Sequence, residues 1–168
     1  MTKMTKMTKM TKKNTIHSKK TRKNMHLQQS SYSSSSSSVL RNFQREITVQ
    51  FFEILLLIKL YHWKTHSYAT HKATDDLYSK INENMDKFIE VLLGKTGVRI
   101  DLMNKKQISL YDLNNQDQLI NKIKSFKGYL VGLTNHKAMK IMSNTDLLNI
   151  RDEILGDMNQ FLYLLSFK

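Results

Sequence analysis

Residues 54–94, ILLLIKLYHWKTHSYATHKATDDLYSKINENMDKFIEVLLG, decide the fold. An apolar run with helical periodicity ends near Tyr61, a short polar segment follows, and a second periodic stretch begins near residue 69. In the second stretch Leu77, Ile81, Met85, Phe88 and Leu92 recur at three and four, the stripe of an amphipathic helix, and Gly94 is the expected stop. Upstream, Val39, Leu40, Phe43, Ile47, Phe51, Ile54, Leu55, Ile58 and Tyr61 mark a first helix over about 38–65. Downstream, residues 94–114 read as a long connection with a helical turn near ISLYDL. A third helix is expected over about 115–141, and a fourth from a cap within SNTD (143–146) to the C-terminus. Two long helices, a long crossover and two more helices describe an all-α, ferritin-like four-helix bundle.

Composition narrows the chemistry. The 168 residues contain no proline, only five glycines and no cysteine. The absence of cysteine excludes disulfides, thiolate metal sites and cysteine nucleophiles, so a metal would be held by His, Asp, Glu or backbone. The longest apolar run is broken by Lys59 and is too short to span a membrane. The N-terminus lacks the apolar segment of a secretory signal.

The net charge of +13 is concentrated at one end. Residues 1–45 hold eleven Lys/Arg and no acid, whereas 46–168 hold sixteen basic and fourteen acidic residues. Four Met-Thr-Lys repeats lead into KNTIHSKKTRKNMH and then SSYSSSSSS at 30–38. With almost nothing aliphatic to bury, residues 1–37 are expected to form a disordered basic tail, followed by a folded domain over 38–168. Lys3, Lys6, Lys9, Lys12, Lys13, Lys19, Lys20, Arg22 and Lys23 suit non-specific contact with DNA phosphates through counterion release. A solubilising tail and a mitochondrial-type presequence are the alternatives.

On a helical wheel with His71 at zero, Asp75 falls near 40°, Asp86 near 60° and Glu90 near 100°, so one imidazole and three carboxylates share an arc bordering the apolar stripe. Such donors suit iron, manganese or zinc. Acids at i, i+4 are also the ordinary pattern of a solvated face. His71–Asp75 and Asp86–Glu90 are each one-turn pairs, but their centres lie roughly 22 Å apart along the axis. They can meet only if two copies of the helix pack antiparallel about a two-fold axis, an arrangement that builds two identical sites. His62 is placed to be a third ligand beside His71 and Asp75. His66 reads as a solvent-facing turn residue and Trp63 as a core or interface anchor.

The stretch from Ile58 to Gly94 resembles the Dps family of ferritin-like mini-ferritins. Lys59 stands three residues before His62-Trp63, then comes His71-x3-Asp75, ten further residues, and Asp86-x3-Glu90. DDLYS and MDKFIEVLLG are similar to the family's second helix, and NTDLLNIRDEILGDMNQFLYLLSF to its fourth. The resemblance implies a two-iron ferroxidase centre shared across a dimer, with His62, His71 and Asp75 from one subunit and Asp86 and Glu90 from its mate. Zinc or manganese would be the substitute metals, and Trp63 would stand beside the site. It also implies two-fold dimers assembled into a hollow dodecamer that oxidises Fe(II) with hydrogen peroxide or dioxygen, stores the ferric mineral and binds DNA through its tail. The location implied is cytoplasmic or nucleoid-associated, or the virion for a large DNA virus, a source suggested by the Lys/Asn/Ile-rich composition. The competing reading is a nucleic-acid-condensing or structural oligomer that keeps the fold without the chemistry.

Overall fold

In the computed structural model the backbone is described for residues 5–102 and 107–167, and side chains from Ser35 onward. Every regular element among these residues is helical: α1 (Thr5–Lys64), α2 (Tyr68–Thr96), α3 (Gln116–Gly132), a 3-10 turn (Leu133–Asn135), α4 (Lys137–Ile141) and α5 (Thr145–Leu164). The protein is all-α. It divides into two compact units, Met1–Ser38 and Val39–Lys168.

Helix α1 begins at Thr5 instead of near residue 38. Its first half is rich in Lys, which favours helix, and neither a proline nor a glycine precedes Gly94 to interrupt it. Of the basic residues expected to meet DNA, Lys3 lies outside the described residues. The side chains of Lys6, Lys9, Lys12, Lys13, Lys19, Lys20, Arg22 and Lys23 lie outside them too.

The core of the second unit is built from one face of each long helix. Phe43, Ile47, Phe51 and Ile58 of α1 meet Leu77, Ile81, Phe88 and Leu92 of α2 in one buried cluster. Leu119, Ile123, Phe126 and Leu130 of α3 and Leu147, Ile154, Met158 and Phe161 of α5 complete it. Phe51 sits at the centre, edge-on to Phe88 at 5.5 Å and to Phe126 at 6.1 Å between ring centroids. Each such side chain removed from water contributes about 1.5–3 kcal/mol before the cost of ordering it.

Helix α2 packs along α5, and polar pairs line the seam. Lys80 donates to Gln160 at 3.0 Å, Asn84 to Asp157 at 3.3 Å and Lys87 to Glu153 at 3.4 Å. At the other end Lys95 pairs with Asp146 at 2.8 Å, tying the last turn of α2 to the first turn of α5.

Three boundaries differ from the sequence expectations. Helix α2 runs through Gly94 to Thr96, and Gly97 ends it in the left-handed conformation (φ 67°), its N–H donating to the Leu93 carbonyl. Glycine carries no Cβ penalty there, which is why it stops the helix three residues later than expected. The expected third helix is broken at 133–136: His136 turns extended (ψ 138°) and its ring nitrogen accepts from the Ala138 N–H, capping the short α4. ISLYDL forms no helical turn. It runs irregularly across the bundle, with Leu113 buried and Tyr111 under the Lys122 ammonium at 3.6 Å.

Candidate metal centre

The site begins at the joint between α1 and α2. Helix α1 stops at Lys64 and α2 starts at Tyr68, with Ser67 as its cap, its hydroxyl accepting from the Thr70 N–H. The tight turn at Thr65–Ser67 folds the last turn of α1 onto the first turn of α2, so residues nine apart in sequence become neighbours.

His62 and His71 are the result. Their rings stack with centroids 3.8 Å apart and planes inclined by 23°. The Nδ1 of His62 lies 3.0 Å from the His71 carbonyl oxygen, and the Nδ1 of His71 lies 3.0 Å from the His62 carbonyl oxygen. A carbonyl only accepts, so each Nδ1 carries the hydrogen and donates it. In the neutral ring this leaves the Nε2 lone pair of both imidazoles free, the tautomer a metal requires. The hydroxyl of Thr74, fully buried, stands 3.2 Å from the same His62 Nδ1 and gives its own hydrogen to the Thr70 and His71 carbonyls. His62 is itself buried, at 7% exposure.

Asp75 completes the group. Its Oδ1 is 3.9 Å from His62 Nε2, a gap that accommodates an ion at about 2.1 Å from each atom with slight adjustment. Lys59, one turn before His62 on α1, reaches the same oxygen at 3.8 Å and lies 4.6 Å from the Tyr78 ring centroid. The donor types, two imidazoles and a carboxylate, suit a borderline first-row ion.

The remaining candidates stand apart. Asp86 and Glu90 are exposed farther along α2 and do not approach His62, His71 or Asp75 within the chain. Among the described residues, no three His, Asp or Glu side chains surround a common point closely enough to hold an ion. Trp63 is 70% exposed, so it anchors nothing in the core of its own chain, and the Lys59 ammonium lies 6.0 Å from its ring centroid. His66 is exposed in the turn.

Sequence reading missed Thr74, which holds the His62 ring. The available signal was a pair of threonines, Thr70 and Thr74, one turn apart on the buried side of α2, where an apolar stripe would place aliphatic residues.

Taken together, the chain is an all-helical bundle-like protein with a stacked His62–His71 pair at its first interhelical joint and Asp75 beside His62. A family model described as "Family of unknown function (DUF5856)" matches residues 62–165, and the chain belongs to that family. The match begins at His62 and spans His71, Asp75, Asp86 and Glu90. No curated protein and no solved structure matches the chain.

Proposed function

We propose that the protein is a Dps-like ferroxidase and iron-storage protein. In this reading residues 38–168 form a ferritin-like four-helix bundle with residues 97–115 as its long crossover. It works as a homo-oligomer built on two-fold dimers and binds DNA without sequence preference through its basic tail. The observation that carries the reading is the reciprocal clasp of His62 and His71, which presets both rings in the metal-binding tautomer, with Asp75 next to His62. A histidine pair serving only to pack would gain nothing from fixing both Nδ1 atoms as donors and turning His62 Nε2 towards a carboxylate.

The cluster is half a site. Asp86 and Glu90 supply the other half from a second copy, and the two-fold axis makes two sites per dimer. An exposed apolar stripe supports that pairing: Phe52, Leu56 and Trp63 recur at three- and four-residue multiples on one side of α1, with Lys59 among them. Fe(II) is the substrate. Two ferrous ions per site each give one electron to hydrogen peroxide, which is reduced to water, or the electrons go to dioxygen. The ferric product is stored as mineral.

A second reading keeps the bundle as a nucleic-acid-condensing oligomer without redox chemistry, and Lys59 is the observation in its favour. Its ammonium already balances the Asp75 carboxylate without a metal.

Complementation between variants separates the two. Purified protein should oxidise Fe(II) faster than buffer, while His62→Ala/His71→Ala and Asp86→Ala/Glu90→Ala should each fall to the buffer rate. Co-refolding equal amounts of the two inactive variants should restore about a quarter of wild-type activity, because half of the randomly formed dimers are mixed and each mixed dimer carries one intact site. No recovery in a correctly assembled mixture defeats the inter-subunit site, and a wild-type rate equal to buffer defeats the enzyme. For the tail, deletion of residues 1–37 should abolish retardation of duplex DNA at low salt.

A further inference from the structure

At the opposite end of α2 from the histidine clasp, a cavity of about 230 Å³ opens between α1 and the loop after Gly97. It is lined by Arg41, Gln44, Arg45, Val98, Arg99 and Asp101. Its charge is unbalanced: three guanidinium groups face one carboxylate. Arg45 spans the opening, its Nε donating to the Asp101 carbonyl at 2.7 Å and its guanidinium lying 3.4 Å from Asp101 Oδ2. Among the described residues, no carboxylate lies within ion-pair distance of Arg41 or Arg99.

The walls are built and not simply juxtaposed. Gln44 is buried at 2% exposure and donates to the Thr96 hydroxyl at 2.6 Å, locking this turn of α1 against the last turn of α2. Gly97, left-handed at φ 67°, then reverses the chain so that Arg99 comes back towards α1. Arg41 and Arg45 are one helical turn apart, where like charges repel each other unless an anion lies between them. Arginine is the side chain suited to a tetrahedral oxyanion, because its planar fork offers two parallel N–H donors.

We infer that Arg41, Arg45 and Arg99 form a phosphate-oxyanion site on the folded domain, and that its ligand is a phosphate of a nucleic-acid backbone. The same chemistry would accept free inorganic phosphate. The nucleic-acid source is favoured by sequence: the residues preceding Arg41 carry nine Lys/Arg and no acid. A polyanion drawn to that segment is held close to the pocket by the chain connection itself. The site shares no residue with the proposed iron ligands or the DNA-binding tail, although Arg99 also lines a neighbouring cavity with Glu90. One neutralised phosphate cannot hold DNA alone, so tail deletion still abolishes retardation, whereas loss of the pocket shows as a change in salt dependence of the full chain.

The test uses the full-length protein and a duplex of about 30 base pairs, with affinity measured against salt. Arg41→Gln/Arg99→Gln should lower the slope of log K against log salt by about 0.9, because the one phosphate held in the pocket is no longer neutralised. Lys124→Gln/Lys140→Gln removes the same charge from α3 and α4 and should leave the slope nearly unchanged. Asp101→Asn, which removes the competing carboxylate, should tighten binding. In a second arm, sodium phosphate at matched ionic strength should raise the Tm of wild type and not of Arg41→Gln/Arg99→Gln if free phosphate is the ligand. A loss in the duplex arm assigns the backbone phosphate, and a loss in the phosphate arm alone assigns the free ion. The site is overturned if the arginine variant matches wild type in both arms, if the lysine control loses as much slope, or if Asp101→Asn weakens binding.

Discussion

Each imidazole of the His62–His71 pair is oriented by the other's backbone carbonyl, so neither ring can turn without freeing a buried donor. Thr74 adds the second acceptor for His62 Nδ1. Thr74→Val keeps the volume and removes that acceptor. It should weaken binding of Co(II), used as a spectroscopic substitute for iron, by about 10–100-fold while leaving the helical circular dichroism unchanged. An unaltered titration would show that the carbonyl alone sets the ring. Lys59→Met removes the ammonium competing for Asp75 and should strengthen Co(II) binding in the same titration, because among the described residues no other Lys or Arg then lies within 4 Å of the carboxylate.

Helix α2 carries all but one of the proposed ligands, and its ends are set by different devices. A Cβ at Gly94 or at Gly97 meets nothing within 4 Å, so substitutions there differ only in backbone conformation. Gly94 is inside the helix, and Gly94→Ala should stabilise by about 0.5–1 kcal/mol. Gly97 holds a left-handed φ, and Gly97→Ala should cost about 1 kcal/mol. Urea denaturation of the two variants should therefore shift the midpoint in opposite directions. On the α5 side of the seam, burial raises the Asp157 carboxyl above its usual range, with Lys80 pulling it back. A carboxyl raised in the fold is penalised when ionised, so its cost is present at neutral pH and disappears as the pH falls through the folded value. Asp157→Asn should raise the Tm near neutral pH, and the gain should shrink towards about pH 4. A lower Tm of Asp157→Asn near neutral pH would mean that the pairing with Lys80 outweighs burial, and a pH-independent difference that the two cancel.

For the whole molecule, the apolar stripe on α1 is one feature that a single chain leaves uncovered. Phe52, Leu56 and Trp63 are 38%, 41% and 70% exposed. Phe52→Ser/Leu56→Ser/Trp63→Ser should sediment as a monomer and lose Fe(II) oxidation without losing helicity; an intact oligomer would place the interface elsewhere. Among the described residues no helix is long and apolar enough to cross a membrane, so the stripe is not part of a span.

The sequence by itself determined the helical class and most of the core, because a period near 3.6 is a local property of each segment. Leu77, Ile81, Phe88 and Leu92 are buried as their spacing required, and only Met85 of that stripe remains partly covered. It also marked out His62, His71 and Asp75, since a wheel and a short turn place them at one end of α2. Tertiary structure decided the rest. Which glycine ends α2 depends on the backbone dihedral at Gly97, and both Gly94 and Gly97 carry the same letter. The break at His136 depends on a ring nitrogen capping Ala138. The reciprocal bonds of His62 and His71 and the Thr74 hydrogen bond required the two helices to be folded onto each other. The arginine pocket joins residues more than fifty positions apart, through a half-buried Gln44–Thr96 hydrogen bond that no sequence period encodes. Periodicity specifies which face of a helix turns inward; only packing specifies what that face meets.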